Sequence, residues 1–163
     1  GLHRACKMQR LKVALDHGQT GVVQRFMEDK PDLIAGHFSL LCGLYDVRAV
    51  RAMLRDDPTC AVTAAGQSLP LVHRCRSGMF TVWQDKADDA IAIVEMLVVN
   101  GADVNAGSEH AGGQLSPLYC ALGHAGHMDL SAWPLVPTMA KACITRPNWA
   151  TLMGCDCWCV GLG

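Results

Sequence analysis

Short apolar stripes at helical spacing alternate with polar breaks along this chain. In Val22–Pro31 the apolar residues fall at Val23, Phe26 and Met27, and in Ala49–Pro58 at Val50, Met53 and Leu54. A third stretch, Ile93–Gly101, places Val94, Leu97 and Val98 at the same i, i+3, i+4 offsets. That spacing puts three side chains on one face of a helix. Each stretch is too short to hold a helix alone in water. Three in series therefore predict helices that bury their stripes against one another. The breaks have their own chemistry. Gly101 stands where a helix ends in left-handed backbone, which glycine adopts at little cost. Pro31 and Pro58 stop the first two helices, because proline lacks the amide needed to continue. Ser116-Pro117 opens a further helix, a capping hydroxyl followed by a ring preset for the first helical position.

Composition narrows the class. Of 163 residues half are hydrophobic and 18% charged, which excludes wholesale disorder and gives one domain with a sizeable core. Aromatics are 6%, so the core is aliphatic and suits packed helices better than a β-sandwich. Fourteen basic residues nearly balance fifteen acidic ones, leaving a net charge of −1. A nucleic-acid partner would call for a basic stripe, so none is expected. No run approaches the roughly 20 uncharged apolar residues of a membrane span; Ile91–Val99 is short and carries Glu95. The opening Gly1-Leu2-His3-Arg4 has neither an initiator Met nor a signal-peptide core, and reads as the start of an excised fragment. Nine cysteines are present, an odd count. Cys6, Cys42, Cys60, Cys75, Cys120 and Cys143 lie singly among apolar or helical neighbours. They read as reduced thiols acting as small hydrophobes, with a cytoplasmic setting.

Candidate chemistry adds little. Cys155-Asp156-Cys157-Trp158-Cys159 alternates thiols, but a structural zinc site wants four ligands with wider spacing within each pair. His124 and His127 share a helical face without a glutamate between them or a third ligand. No nucleophile elbow, oxyanion loop or phosphate-binding glycine pattern accompanies any Cys–His pairing, and Gly112-Gly113 reads as a loop. The expectation is a protein without catalysis, metal or cofactor.

One stretch is specific. Asn100-Gly101-Ala102-Asp103-Val104-Asn105, then Ser116-Pro117-Leu118-Tyr119, then Gly126-His127, resembles the ankyrin repeat. A second match is Leu69-Pro70-Leu71-Val72-His73-Arg74-Cys75 running to Gly78, with the family's Pro-to-Gly spacing of eight. The resemblance covers about residues 15–132. It implies an all-α solenoid of about four helix pairs joined by short hairpin fingers, in an ankyrin-repeat domain over 1–132 whose last repeat is incomplete. It also implies binding of another protein on the concave surface of finger tips and first helices. Those positions are Gly107, Ser108, Glu109 and His110 in the last finger, and His73, Arg76, Tyr119 and Leu122 on first helices. The rival classes are a purely structural segment of a longer array and a thiol-rich metal-binding protein.

Departures from the family pattern are also legible. Pro31 and Pro58 lie 27 residues apart, so the intervening finger is trimmed. Val50 to Val94 spans 44, which puts about eleven extra residues between the helices of the third repeat, in Met79–Ala90. This insert is expected to extend one helix and cap the next through Asp85, Asp88 or Asp89. Its Trp83 is a candidate partner-binding anchor. Arg74 stands where the family keeps a small residue. From Trp133 the rhythm stops, and 133–163 is out of pattern. Shifting the reading frame by one base forces glycine at the Met139/Ala140, Trp149/Ala150 and Met153/Gly154 junctions. It forces leucine at Asn148/Trp149, Asp156/Cys157 and Cys157/Trp158. The tail therefore reads as the frameshifted remnant of a further repeat, with a frayed end over Leu118, Leu122 and Leu130.

Overall fold

The computed structural model describes residues 2–66, 68–110, 113–117 and 120. The tail 133–163 and the apolar positions Leu118, Leu122 and Leu130 lie outside the described residues. The protein is mostly helical: α1 (Leu2–Asp16), α2 (Thr20–Asp29), α3 (Pro31–Ile34), α4 (Phe38–Gly43), α5 (Val47–Asp56), α6 (Pro70–Arg76) and α7 (Ala87–Val99). Short 3₁₀ turns at Pro58–Ala61, Gly78–Thr81 and Gln84–Lys86 link them. After α7 comes a small antiparallel hairpin, β1 (Ser108–His110) and β2 (Gly113–Leu115), pairing Ser108 with Leu115 and His110 with Gly113.

The three apolar stripes lie in α2, α5 and the end of α7, and Gly101 takes the left-handed conformation with φ 97°. The first two helix pairs share a set of backbone bonds. Gln19 N donates to the Ala14 carbonyl and Asp46 N to the Leu41 carbonyl; Val23 N donates to Gln19 and Val50 N to Asp46. The helix ends match as well, Lys30 N on Phe26 O and Asp57 N on Met53 O. Every one of these bonds recurs after 27 residues, the Pro31-to-Pro58 interval. The turn inside each pair is made by a left-handed residue, Gly18 at φ 62° and Tyr45 at φ 61°. A tyrosine there costs about 1–2 kcal/mol. It is fixed by neighbours: its hydroxyl donates to the Ser77 carbonyl at 3.3 Å, and its ring meets Trp83 edge-on at 6.2 Å.

The prolines do more than stop helices. Pro31 opens α3 and Pro58 opens the next 3₁₀ turn, each at a first position where no amide is needed. The span between α2 and α4 is thereby taken up by α3. Pro70 opens α6 in the same way, and Pro117 starts another helical turn, with Cys120 N on Ser116 O at 3.0 Å.

Packing centres on α4, whose six residues are all buried. It lies against α5 and α6, while α5 and α6 both lie against α7. Val50, Leu54, Leu71, Val72, Ile93, Val94 and Leu97 fill the space between them. The Met79–Ala90 insert does fall between α6 and α7, but it does not extend α6, which stops at Arg76. It coils into two 3₁₀ turns instead, and α7 begins after Lys86 with no side-chain cap. Asp88 and Asp89 sit in the first turn of α7, where the free amides favour negative charge without any capping bond. Arg74 reaches the Ala90 end of this insert. It is fully buried, its Nε donating to the Ala90 carbonyl at 3.1 Å and its Nη1 to the Tyr45 hydroxyl at 3.3 Å. Its guanidinium stacks 4.2 Å above the Tyr45 ring.

Candidate functional site

Two regions hold the residues singled out by the sequence. The first is the hairpin after α7. Ala102 and Val104 are buried and anchor its approach, and Asp103 Oδ1 accepts from Asn105 N at 3.0 Å to tighten the turn. Gly107 is half-buried, and Ser108, Glu109 and His110 form β1, leading to the tip. Ser108–His110 pairs with Gly113–Leu115 as a short antiparallel hairpin. Tyr119 and Leu122 lie outside the described residues.

The second region is the face of α6 that carries His73 and Arg76. These residues are one helical turn apart and share a face, and this face is covered. Arg76 Nη2 pairs with Asp16 Oδ2 of α1 at 2.7 Å, both side chains being under a fifth exposed. At Gly78 a Cβ would stand 2.7 Å from the Asp16 carbonyl oxygen and 3.0 Å from Gly18 N, so backbone meets backbone and a side chain is excluded. A Cβ on Gly43 would sit 3.5 Å from Leu15 Cδ1, which brings α1 onto the end of α4 too. His73 lies beneath this cover. Its imidazole is pushed down to about 4, first by burial and then by the charges of Lys12 and Arg76, and its Nε2 has no hydrogen-bond partner among the described residues. Cys120 comes close enough for Arg76 and Asp16 to act on its thiol, which burial pushes up to about 11.

Trp83 is half-buried: one side of its ring meets Tyr45, and Lys86 Nζ lies 4.5 Å from the ring centre. It packs at the edge of the core instead of standing free. The buried thiols of Cys42 and Cys75 are pushed up to about 12 by desolvation and so stay protonated near neutral pH. Cys6, Cys42, Cys60, Cys75 and Cys120 are unbridged. No described helix is long and apolar enough to cross a membrane.

Sequence reasoning did not find Asp16, nor the cleft of about 660 Å³ between α1 and α2, where Lys7, Arg10, Arg25 and Lys30 surround Val22 and Phe26. A signal for α1 was present: Leu11, Ala14 and Leu15 carry the same i, i+3, i+4 stripe as the other helices and are all buried.

The class these residues define is a mostly helical protein containing a repeated helix pair. No family model, curated protein or solved structure matches the chain.

Proposed function

We propose that this is an ankyrin-type repeat protein that binds another protein through its finger and first-helix surface. The observation that carries the reading is the repeated hydrogen-bond register of the α1–α2 and α4–α5 pairs. The β1–β2 hairpin, at the position where the resemblance puts a finger, supports it. A fixed core of helix pairs leaves hairpin residues free to vary, which suits recognition and provides no reaction chemistry. On this reading Gly107 to His110 meet the partner directly, in a cytoplasmic protein whose thiols stay reduced. No cofactor is involved.

The test is site-specific photo-crosslinking in an extract of the source cells. A benzophenone side chain in place of Glu109 is expected to give one discrete adduct, and the same group in place of Arg51, exposed on α5, none. Equal labelling from both sites, or none from either, would reject recognition by the finger. It would favour a structural segment of a longer array.

A further inference from the structure

We propose that the cleft between α1 and α2 is a second docking site, for an acidic segment of a partner protein that carries a large apolar residue among its carboxylates. The site is built from other elements than the finger, and the inference stands apart from the reading above.

Shape comes first. The cleft of about 660 Å³ is lined from α1 by Lys7 and Arg10 and from α2 by Val22, Arg25, Phe26 and Asp29. The spacing is i, i+3 on one helix and i, i+3, i+4, i+7 on the other, so each helix presents one face to it. Val22 is 39% exposed and Phe26 is half-buried, whereas Val23, one position along, is fully buried in the core. A Cβ added at Gly21, which also lines the cleft, would meet nothing within 4 Å. The cleft is therefore open surface with an apolar floor, and not a seam of the core.

Charge comes second. Lys7, Arg10, Arg25 and Lys30 bring four cations to the cleft, and Asp29 is its one carboxylate. The chain as a whole carries −1, so the positive charge is local to this place. None of the four side chains makes an ion pair or a hydrogen bond with another described residue. Nor does a helix pair of this kind need them. In the matching register of the α4–α5 pair, Ala52 stands for Arg25 and Asp57 for Lys30, and Asp57 caps the next turn by accepting from Thr59 N. The start of α2 adds to the field. Gln19 gives its first amides no side-chain cap, and a helix N-terminus favours negative charge.

The occupant follows from the two together. Cations around the rim draw in carboxylates and set their register, while the floor takes a Leu- or Phe-sized side chain out of water. Free phosphate would leave Val22 and Phe26 uncovered. A nucleic acid calls for cations along a stripe, and here they are gathered around one cleft. A bilayer takes up apolar side chains that project, and these line a recess. An acidic peptide with an apolar residue uses both features: its carboxylates meet the rim and the first turn of α2, and its apolar side chain lies on Phe26.

The probe is a fluorescein-labelled hexapeptide, Glu-Asp-Leu-Phe-Asp-Glu, titrated by anisotropy into the full chain. Arg25→Glu is expected to weaken its binding about tenfold, since an attraction becomes a repulsion. Gly21→Glu places a carboxylate inside the cleft to compete for the cations, and should weaken binding about fivefold. This variant keeps its fold, because an acidic first turn suits a helix and the added side chain meets open space. Serine in place of both apolar residues of the peptide should cost about tenfold. Raising the salt from about 50 to about 300 mM should cost roughly threefold. Circular dichroism and a cooperative melt establish that each variant folds. If Arg25→Glu does not fold, Arg25→Gln serves with an expected loss of about threefold. Absence of binding, binding unmoved by Gly21→Glu, or equal binding of the serine peptide overturns the proposal. Displacement by single-stranded DNA or anionic vesicles at lower concentration than by unlabelled peptide overturns it in favour of a polyanion. The readout does not involve the finger, so a failed titration beside a successful Glu109 crosslink rejects the cleft alone, and the converse rejects the finger.

Discussion

Helices α2 and α5 have the same length, the same stripe spacing and matching backbone bonds from Val23 and Val50 and from Lys30 and Asp57, yet their surroundings differ. α5 buries Val50 and Leu54 and is held between α4 and α7. Of the residues of α2, Val23 is buried, while Val22 and Met27 remain about 40% exposed. The N-termini differ too. Asp46 caps α5, its carboxylate accepting from Ala49 N at 3.0 Å, whereas Gln19 offers α2 no side-chain bond. A stripe at helical spacing specifies a helix and the face it prefers to bury. How much it does bury depends on the elements that come to lie on each side. α5 packs between α4 and α7, while α2 packs chiefly on α1 and α3.

The largest expected effect is in the core. Leu54→Ala should lower stability by about 2–4 kcal/mol, since the cavity is enclosed by packed helices that cannot collapse. Phe26→Ala in α2, although it removes a larger side chain, should cost about 1 kcal/mol because that ring is already partly solvated. Urea denaturation measures both, and equal losses would erase the contrast.

Next is the dependence on pH. The His73 imidazole ionises near 4 in the folded chain, against 6.5 for an imidazole in water. The unfolded chain therefore takes up more protons between those values, and the fold weakens as pH falls through that window. This contribution to stability is complete above 6.5. The groups facing the ring are Lys12 from α1 and Arg76 from its own helix, both of which oppose its protonation, and Asp16 is paired with Arg76. The loss should amount to on the order of 2–3 kcal/mol by pH 4, and His73→Gln should flatten the profile. His37 is shifted in the same sense, by burial and by Arg4 and Lys12, but is much more exposed and adds less. Urea denaturation as a function of pH is the measurement.

The smallest effect concerns the caps. Asp46→Ala should cost about 1 kcal/mol, and Gln19→Asp should return a similar amount to α2. Thermal melts that shift in opposite directions would bear out the difference in capping, and two unchanged melts would remove it.

Much of this was legible in the residues. The i, i+3, i+4 stripes marked α2, α5 and α7, Gly101 marked a left-handed stop, and the helix at Pro70 came with the ankyrin resemblance of Leu69–Cys75. A finger at Gly107–His110 was expected only from the resemblance to the ankyrin repeat. Tyr45 was not legible, because a left-handed tyrosine depends on Ser77, Trp83 and Arg74, which only the fold brings to it. Nor was the insert's shape, since acidic residues before a helix suit both a cap and a solvated first turn. The covering of His73 and Arg76 was hidden for a different reason. Periodicity shows that α1 has an apolar face but does not say which helix receives it, and Asp16 and Arg76 are sixty positions apart.

The account depends on where α1 lies, and one measurement locates it. In a methyl-labelled sample, a nuclear Overhauser contact between the Leu15 methyl and the Gly43 α-protons is expected, with a second from the Gly78 α-protons to the Gly18 amide. Both contacts place the end of the N-terminal helix and the turn after it at the ends of α4 and α6. A helical α1 showing contacts to α4 but none to Gly78 would put it back in a one-way stack, leave His73 and Arg76 open, and contradict the account.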